Sequence, residues 1–545
     1  MNKTTKEKYF ALVEKLDSKK LGIFVSILFF ISLLPIIYVG LHNYASGDDY
    51  WYGVKTYRGL VEEGVIGALK GSLATVEDFY ENWQGTWFTI FLFTLSPNHF
   101  AEHGYYITVF ISLGLLIASV SYLAHFYLVE KLNFTKGATA TIVCMILYLM
   151  IQYMPRTTSG IYWFNGVMHY SVPLLLGVLA IVHTHKFVDK KCKKDYIILF
   201  LSFTLLGGGS YLAPLSATLA AVLILICQVK VQTVDDNKQN KESNKYIKRL
   251  KISKCFVVYD FRNLWIIVAF FTELIGLAIS FLSPGNSVRG GEEFGFSIKW
   301  ALQCIYYAID RGIYLGEDYF LKNAVTMVVF VLISVLLWSQ LWRVDDEKIK
   351  FRYPLLMVIY LNGIYWASYT PEIYSNSDVS GGVPNTYMQF FYMITVGCMI
   401  CVHGWLQQCL RKYWKKKELV TGKKYDELEE QSIFSYKKYK SYIMIPTMVV
   451  VGIVLVLVGN ISEIRTTNDY CIEYISSGKM EQYVQVREEQ HRILSDENVQ
   501  DVLIPEVGDQ YPLLHMGLEL EPYCDRNIDR ALYYNKKSVS TYRVD

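Results

Sequence analysis

Long apolar runs, separated by polar and charged stretches, set the pattern of this chain. A helix needs roughly 20 apolar residues, at 1.5 Å of rise each, to cross the hydrocarbon of a bilayer. Eleven such spans are predicted, near residues 21–41, 104–128, 138–154, 168–185, 196–209, 211–229, 263–283, 321–342, 353–370, 386–410 and 441–461. The fifth is short and ends in Gly207-Gly208-Gly209, the pattern of a bent or partial crossing. A further apolar stretch, Thr86 to Ser96, is too short to span and reads as interfacial or re-entrant. Between the first two spans, Val61, Val65, Ala68, Leu69, Leu73 and Val76 recur at helical spacing and predict an amphipathic helix lying on the bilayer.

Composition agrees with a polytopic membrane protein: 52% of the 545 residues are hydrophobic and only 19% are charged. The net charge of +3 carries no nucleic-acid footprint, but the placement of the charge matters more. With the N-terminus in the cytoplasm, 36 Lys and Arg fall in the cytoplasmic segments and 7 in the loops between spans on the far side. Basic residues stay on the cytoplasmic side, so the N-terminus is predicted inside and the C-terminus outside. The first run, Leu21 to Leu41, exceeds the 7–15 apolar residues of a cleaved signal and reads as a retained anchor. The fold class predicted is therefore an all-α polytopic membrane protein of about eleven transmembrane helices over residues 1–461, with outer loops at 42–103, 155–167, 284–320 and 371–385. Residues 462–545 change character, being charged and helical first and Tyr-rich last, and predict a small extracytoplasmic α/β tail. Within it Cys471 and Cys524 are the two cysteines clearly outside, a candidate disulfide. The basic inner loops, 230–262 and 411–440, read as topology determinants and hold no nucleotide-binding motif.

Candidate chemistry concentrates in the outer loops. Asp48 and Asp49 stand side by side directly after the first span, in the setting Ser46-Gly47-Asp48-Asp49-Tyr50-Trp51-Tyr52. Carboxylates at a membrane boundary are hydrated, paired or functional, and this pair is the candidate catalytic base. It is also the candidate ligand set for a divalent cation, Mg²⁺ or Mn²⁺, though two carboxylates alone leave such a site incomplete. His99 and His103 are four apart, but Pro97-Asn98 before them favours a loop over a metal-binding helix. Tyr50, Trp51 and Trp83, with Tyr162, Trp163 and Asn165 in the second outer loop, suit either an interfacial aromatic belt or the faces of a sugar ring. Arg289 follows the turn Pro284-Gly285-Asn286, and Arg156 lies in the second outer loop; a guanidinium at the outer interface matches phosphate oxygens bidentately. Glu273, mid-way along the seventh span, is the residue that speaks for a transporter or flippase instead.

A first span followed at once by an extracytoplasmic acidic pair, here Asp48-Asp49, resembles the GT-C class of integral membrane glycosyltransferases. The Trp83 to Trp87 stretch, Pro284-Gly285-Asn286 with Arg289, and the Tyr-rich C-terminus are similar to a family of bacterial polytopic proteins related to the serotype-converting O-antigen glucosyltransferases. Trp83-Gln84-Gly85-Thr86 departs from the Gly-Arg of that pattern, so no role passes to Thr86. The resemblance implies a bacterial plasma membrane enzyme. It would move a sugar from a polyprenyl-phosphate donor to an extracytoplasmic glycan or glycolipid acceptor, with Asp48 or Asp49 as base or metal ligand and Arg289, then Arg156, at the phosphate. The rival readings are a transporter or flippase of a lipid-linked substrate and a non-catalytic envelope-assembly protein.

Overall fold

The computed structural model describes residues 18–101, 103–233, 247–252, 255–290, 297–375, 381–422, 424–432, 465–506, 508, 510–514 and 524–544, with isolated positions between 439 and 450. The chain is mostly helical. Among the described residues, six helices are long and apolar enough to cross a membrane: Ser18–Leu41, Gly104–Lys131, Phe164–Lys190, Phe261–Phe281, Ala324–Leu341 and Val383–Thr421. Shorter apolar helices, Lys136–Gln152, Leu212–Cys227 and Pro354–Ala367, lie among them, and Lys193–Leu206 packs between Phe164–Lys190 and Trp265–Phe281. The first ten predicted runs thus fall on helices, whereas the eleventh, 441–461, lies outside the described residues apart from a few positions near its start.

Many of these helices carry their apolar side chains all round, as an element set in lipid or deep in a bundle must. Ser18–Leu41 exposes Ile23, Phe24, Ile27 and Phe30 while burying Phe29, Leu33, Ile36 and Val39 against the bundle. Trp265–Phe281 crosses Lys193–Leu206 at glycine contacts: a Cβ on Gly207 would lie 2.5 Å from the Glu273 carbonyl oxygen. Glu273 itself is buried, with Oε2 accepting from the Thr218 hydroxyl and Oε1 without a partner among the described residues.

Two sequence expectations need correction. The stretch around Val61 to Val76 is helical as predicted but is not one continuous helix. Asp48–Asn82 is a helical hairpin, broken at Gly64, whose φ of 68° and ψ of −149° only glycine adopts without strain. The two arms close because Gly59 and Gly67 face each other, a Cβ on Gly59 falling 2.2 Å from the Gly67 carbonyl oxygen. Thr56 and Ser72 hydroxyls meet at 3.0 Å and the Lys55 ammonium reaches Asp78 at 2.8 Å. Periodicity saw one amphipathic arm and missed the glycine face that pairs it with the other. The apolar positions Val61, Val65, Leu69 and Leu73 are exposed toward the tip of this hairpin.

The all-α description is likewise incomplete outside the tail. The basic loop after Cys227 forms a three-stranded antiparallel sheet, with Cys255–Asp260 between Lys230–Thr233 and Ile247–Ile252. The tail itself is α/β as predicted: Thr467–Ser476 and Lys479–Leu494 precede Asp501–Glu506, which pairs in parallel with Ser538–Arg543 across the helix Asp525–Tyr533. Cys471 and Cys524 are not joined in a disulfide; Cys471 is buried with its sulfur 3.4 Å from the Tyr162 hydroxyl. The tail is instead held on the hairpin by Arg58, which donates to the Leu532 carbonyl at 2.6 Å, and by Tyr57 stacked on Tyr533 at 4.3 Å.

Candidate functional site

The hairpin begins at Asp48, so its first turn fixes which way each residue of the Ser46–Tyr52 stretch points. Successive helical residues turn by about 100°. Asp48, Trp51 and Tyr52 therefore share one face, and Tyr50, Gly53 and Tyr57 share the opposite one. The two aspartates are not equivalent. Asp49 is fully buried, 0% exposed, and its Oδ2 accepts from the Ser46 backbone N–H at 2.9 Å and from the Tyr105 hydroxyl at 2.6 Å. The same Tyr105 oxygen accepts from the Phe164 N–H at 3.0 Å, so Asp49 ties the hairpin to the start of the Phe164–Lys190 helix. Burial pushes the Asp49 carboxyl up to about 7 against the pull of those two donors. Asp48 is only partly buried. Burial raises its pKa as well, opposed by the nearby guanidinium groups of Arg526 and Arg289.

Arg289 arrives from the short Pro284–Gly290 helix and is held by the other flagged stretch. Its guanidinium sits over the Trp83 ring at 5.1 Å and donates to the Gln84 side-chain oxygen. The turn beneath is tightly keyed: Asn286 accepts from the Gly85 N–H at 3.2 Å and donates to the Ser280 carbonyl at 2.7 Å. A Cβ on Gly85 would lie 1.8 Å from that Ser280 oxygen. Trp83-Gln84-Gly85 and Pro284-Gly285-Asn286, some 200 positions apart, thus form one unit. The Trp83 ring packs on Trp51 at 5.3 Å, which joins the unit to the Asp48 face of the hairpin.

Several residues of this site were not among the sequence candidates. Tyr52, buried beside Asp48 and Arg289, has its hydroxyl pKa raised by burial first and by Asp48 next. The Arg289 charge also reaches His169, Tyr170 and Tyr211. From the tail, Arg526 and Asp529 stand beside Asp48; burial, then the charges of Asp48 and Asp525, push the Asp529 carboxyl up to about 7. Arg526, Asp529, Arg530 and Tyr533 follow helical spacing, which was the available clue. Pro173, one turn along the helix from Tyr170, begins the wall of an apolar cavity of about 440 Å³. The cavity extends between the membrane helices as far as His185 and Cys227.

Other sequence candidates lie elsewhere. Tyr50 faces away from Arg289, its ring 4.6 Å from the Arg530 guanidinium. Tyr162 is a buried tether, its hydroxyl donating to the Ile36 carbonyl at 3.0 Å. Trp163 is half-buried at the start of its helix, and Asn165, 1% exposed, leaves both side-chain polar atoms without partners among the described residues. Arg156 is exposed, donates to the Tyr511 hydroxyl at 3.3 Å and exchanges backbone bonds with the Asn385 amide; no contact joins it to Asp48 or Arg289 among the described residues. His99 is packed against Gly53, with Nδ1 3.1 Å from the Tyr533 hydroxyl, and burial lowers its pKa to about 3. Among the described residues no group of three or more His, Cys, Asp or Glu is arranged to hold a metal. Asp49 Oδ2 is committed to two donors, while its Oδ1 is buried without a hydrogen-bond partner among the described residues.

No family model, no characterised protein and no solved structure matches this chain. Its function is therefore argued from the site alone.

Proposed function

We propose that the protein is a membrane glycosyltransferase that moves a sugar from a polyprenyl-phosphate donor to an extracytoplasmic cell-surface glycan or glycolipid. The observation that carries this reading is the juxtaposition of a partly buried carboxylate, Asp48, with a clamped guanidinium, Arg289, whose charge reaches it. Glycosyl transfer from a lipid phosphate needs these parts. An acceptor hydroxyl attacks the anomeric carbon, the bond from that carbon to the phosphate oxygen breaks, and the hydroxyl proton leaves to a base. Asp48 is the base, with an affinity for the proton increased by burial. Arg289 meets the charge that grows on the departing phosphate, and the apolar cavity takes the first part of the polyprenyl chain. Trp51 and Trp83 offer ring faces to the sugar. Asp49 is a positioning residue that fixes the first turn of the hairpin. Arg156 remains the second candidate for the phosphate only if the donor extends toward Tyr511.

The test is transfer from a radiolabelled polyprenyl-phosphate sugar in membranes. The Asp48→Asn variant should lose about 10²–10⁴ in rate, the usual range for a general base, while Glu273→Gln keeps its activity. Full activity in Asp48→Asn sinks the assignment. Loss of substrate movement in Glu273→Gln, with no transfer by the wild type, favours the flippase reading, for which the unpartnered Glu273 Oε1 is the motivating observation.

A further inference from the structure

On the opposite face of the hairpin from Asp48, between its first arm and the tail, lies a polar cavity of about 710 Å³. Its volume is in the range of small-molecule sites, about 300–1,000 Å³. Two guanidinium groups, from Arg487 and Arg530, belong to its wall, and both side chains are buried, at 5% and 1% exposure. They share one neutral acceptor: the Gln490 side-chain oxygen takes Arg487 Nη1 at 2.9 Å and Arg530 Nη1 at 3.2 Å. Arg487 has a second partner in the Ala45 carbonyl. Arg530 does not, and its Nε and Nη2 are buried without a hydrogen-bond partner among the described residues. These two donors form one edge of the guanidinium fork, the edge that takes a carboxylate or phosphate side-on with two parallel bonds.

An unpaired buried cation is costly, and the surroundings only partly offset it. Glu506 is within electrostatic reach of both guanidinium groups and accepts from Gln490 at 3.2 Å, and Glu488 lines the cavity. Tyr50 lies under the Arg530 guanidinium, and Tyr57 and Tyr534 complete an aromatic wall. Stacking faces next to a bidentate anion receptor are the chemistry of a sugar that carries an acidic group.

We propose that this cavity binds an anionic saccharide, with its carboxylate or phosphate drawn to the Arg487–Arg530 pair in the cavity wall and a sugar ring against the tyrosines. Binding stands independently of transfer; naming the occupant as the acceptor rests on the glycosyltransferase reading. The experiment is isothermal titration calorimetry on the full chain in nanodiscs with trigalacturonic acid, a maltotriose phosphate and neutral maltotriose. At least one acidic probe should bind tenfold or more tighter than maltotriose and weaken as salt is raised. A preference for the first or the second identifies the anion as carboxylate or phosphate. Arg530→Met should lose that preference. Leu60→Trp, which fills the cavity from the hairpin and leaves its polar groups in place, should lose binding tenfold or more with an unchanged melting temperature. Asp48→Asn should bind as the wild type does, so a failed transfer assay and a failed binding assay are told apart. Equal binding of acidic and neutral probes, binding of none of them, or wild-type affinity in Leu60→Trp overturns the proposal.

Discussion

At the scale of single residues, the two adjacent aspartates differ more in surroundings than in sequence. Asp49 has no exposure, and its carboxyl is pushed up to about 7. Between about pH 4 and pH 7 the folded protein therefore holds a proton that the unfolded chain has released, so Asp49 makes stability fall as pH rises through that window. At about 1.4 kcal/mol per pKa unit, the whole effect is worth about 4 kcal/mol. Asp529 acts with the same sign, while buried His99, lowered to about 3, destabilises the fold as pH drops below its ordinary value near 6.5. The clean measurement is the melting temperature of Asp49→Asn minus that of the wild type, in detergent, from pH 5 to pH 8. The difference should grow in favour of the variant up to pH 7 and then level off. A difference independent of pH would show that Asp49 is ionised in the fold throughout. Nothing in the sequence separated Asp48 from Asp49, because what separates them is Tyr105, 56 positions away, donating to one and not to the other.

At the scale of elements, apolar period and length placed the first ten predicted runs on helices, six of the helices among the described residues being long and apolar enough to cross a membrane. The eleventh run lies outside the described residues apart from a few positions near its start. The features that build the site are of another kind. The hairpin depends on a single positive φ at Gly64, and the Arg289 clamp depends on backbone approach at Gly85; neither leaves a periodic trace. The three strands between Lys230 and Asp260 were hidden for a related reason: Lys230–Thr233 and Ile247–Ile252 are polar or basic like a connecting loop, and the apolar run of Cys255–Asp260 is short and lies directly before a predicted span. The clamp can be tested at its tightest point. Gly85→Ala places a methyl carbon 1.8 Å from the Ser280 oxygen, so the Trp83 turn must shift away from Pro284–Gly290. Transfer should drop at least tenfold with little loss of helix content by circular dichroism. Wild-type activity in this variant would show that Arg289 does not need the clamp.

At the scale of the molecule, helix length decides which groups can share a side of the bilayer. Asn385, bonded to Arg156, and Lys415 lie on the same 39-residue helix, Val383–Thr421, about 45 Å apart at 1.5 Å per residue. Arg156 in turn contacts Tyr511, so the tail is at the Asn385 end. The distribution of Lys and Arg predicts that this end lies outside. A membrane-impermeant amine reagent should therefore modify exposed Lys537 in intact cells and exposed Lys415 only after lysis, read by peptide mass spectrometry. The reverse pattern would invert the orientation and remove the site from the acceptor's side.

The Arg58 bond to the Leu532 carbonyl joins residues 474 positions apart. During synthesis, at about 5–20 residues per second, the first arm of the hairpin waits roughly 25–95 s for the segment that covers it. Through that interval the Tyr50 and Tyr57 face has no Arg530 and no Tyr533 to pack on, and every intervening helix has been made. The wall between the two faces of the hairpin is thus one of the last parts of the nascent protein to close. A ribosome stalled short of Asp525 would display the hairpin with that face bare.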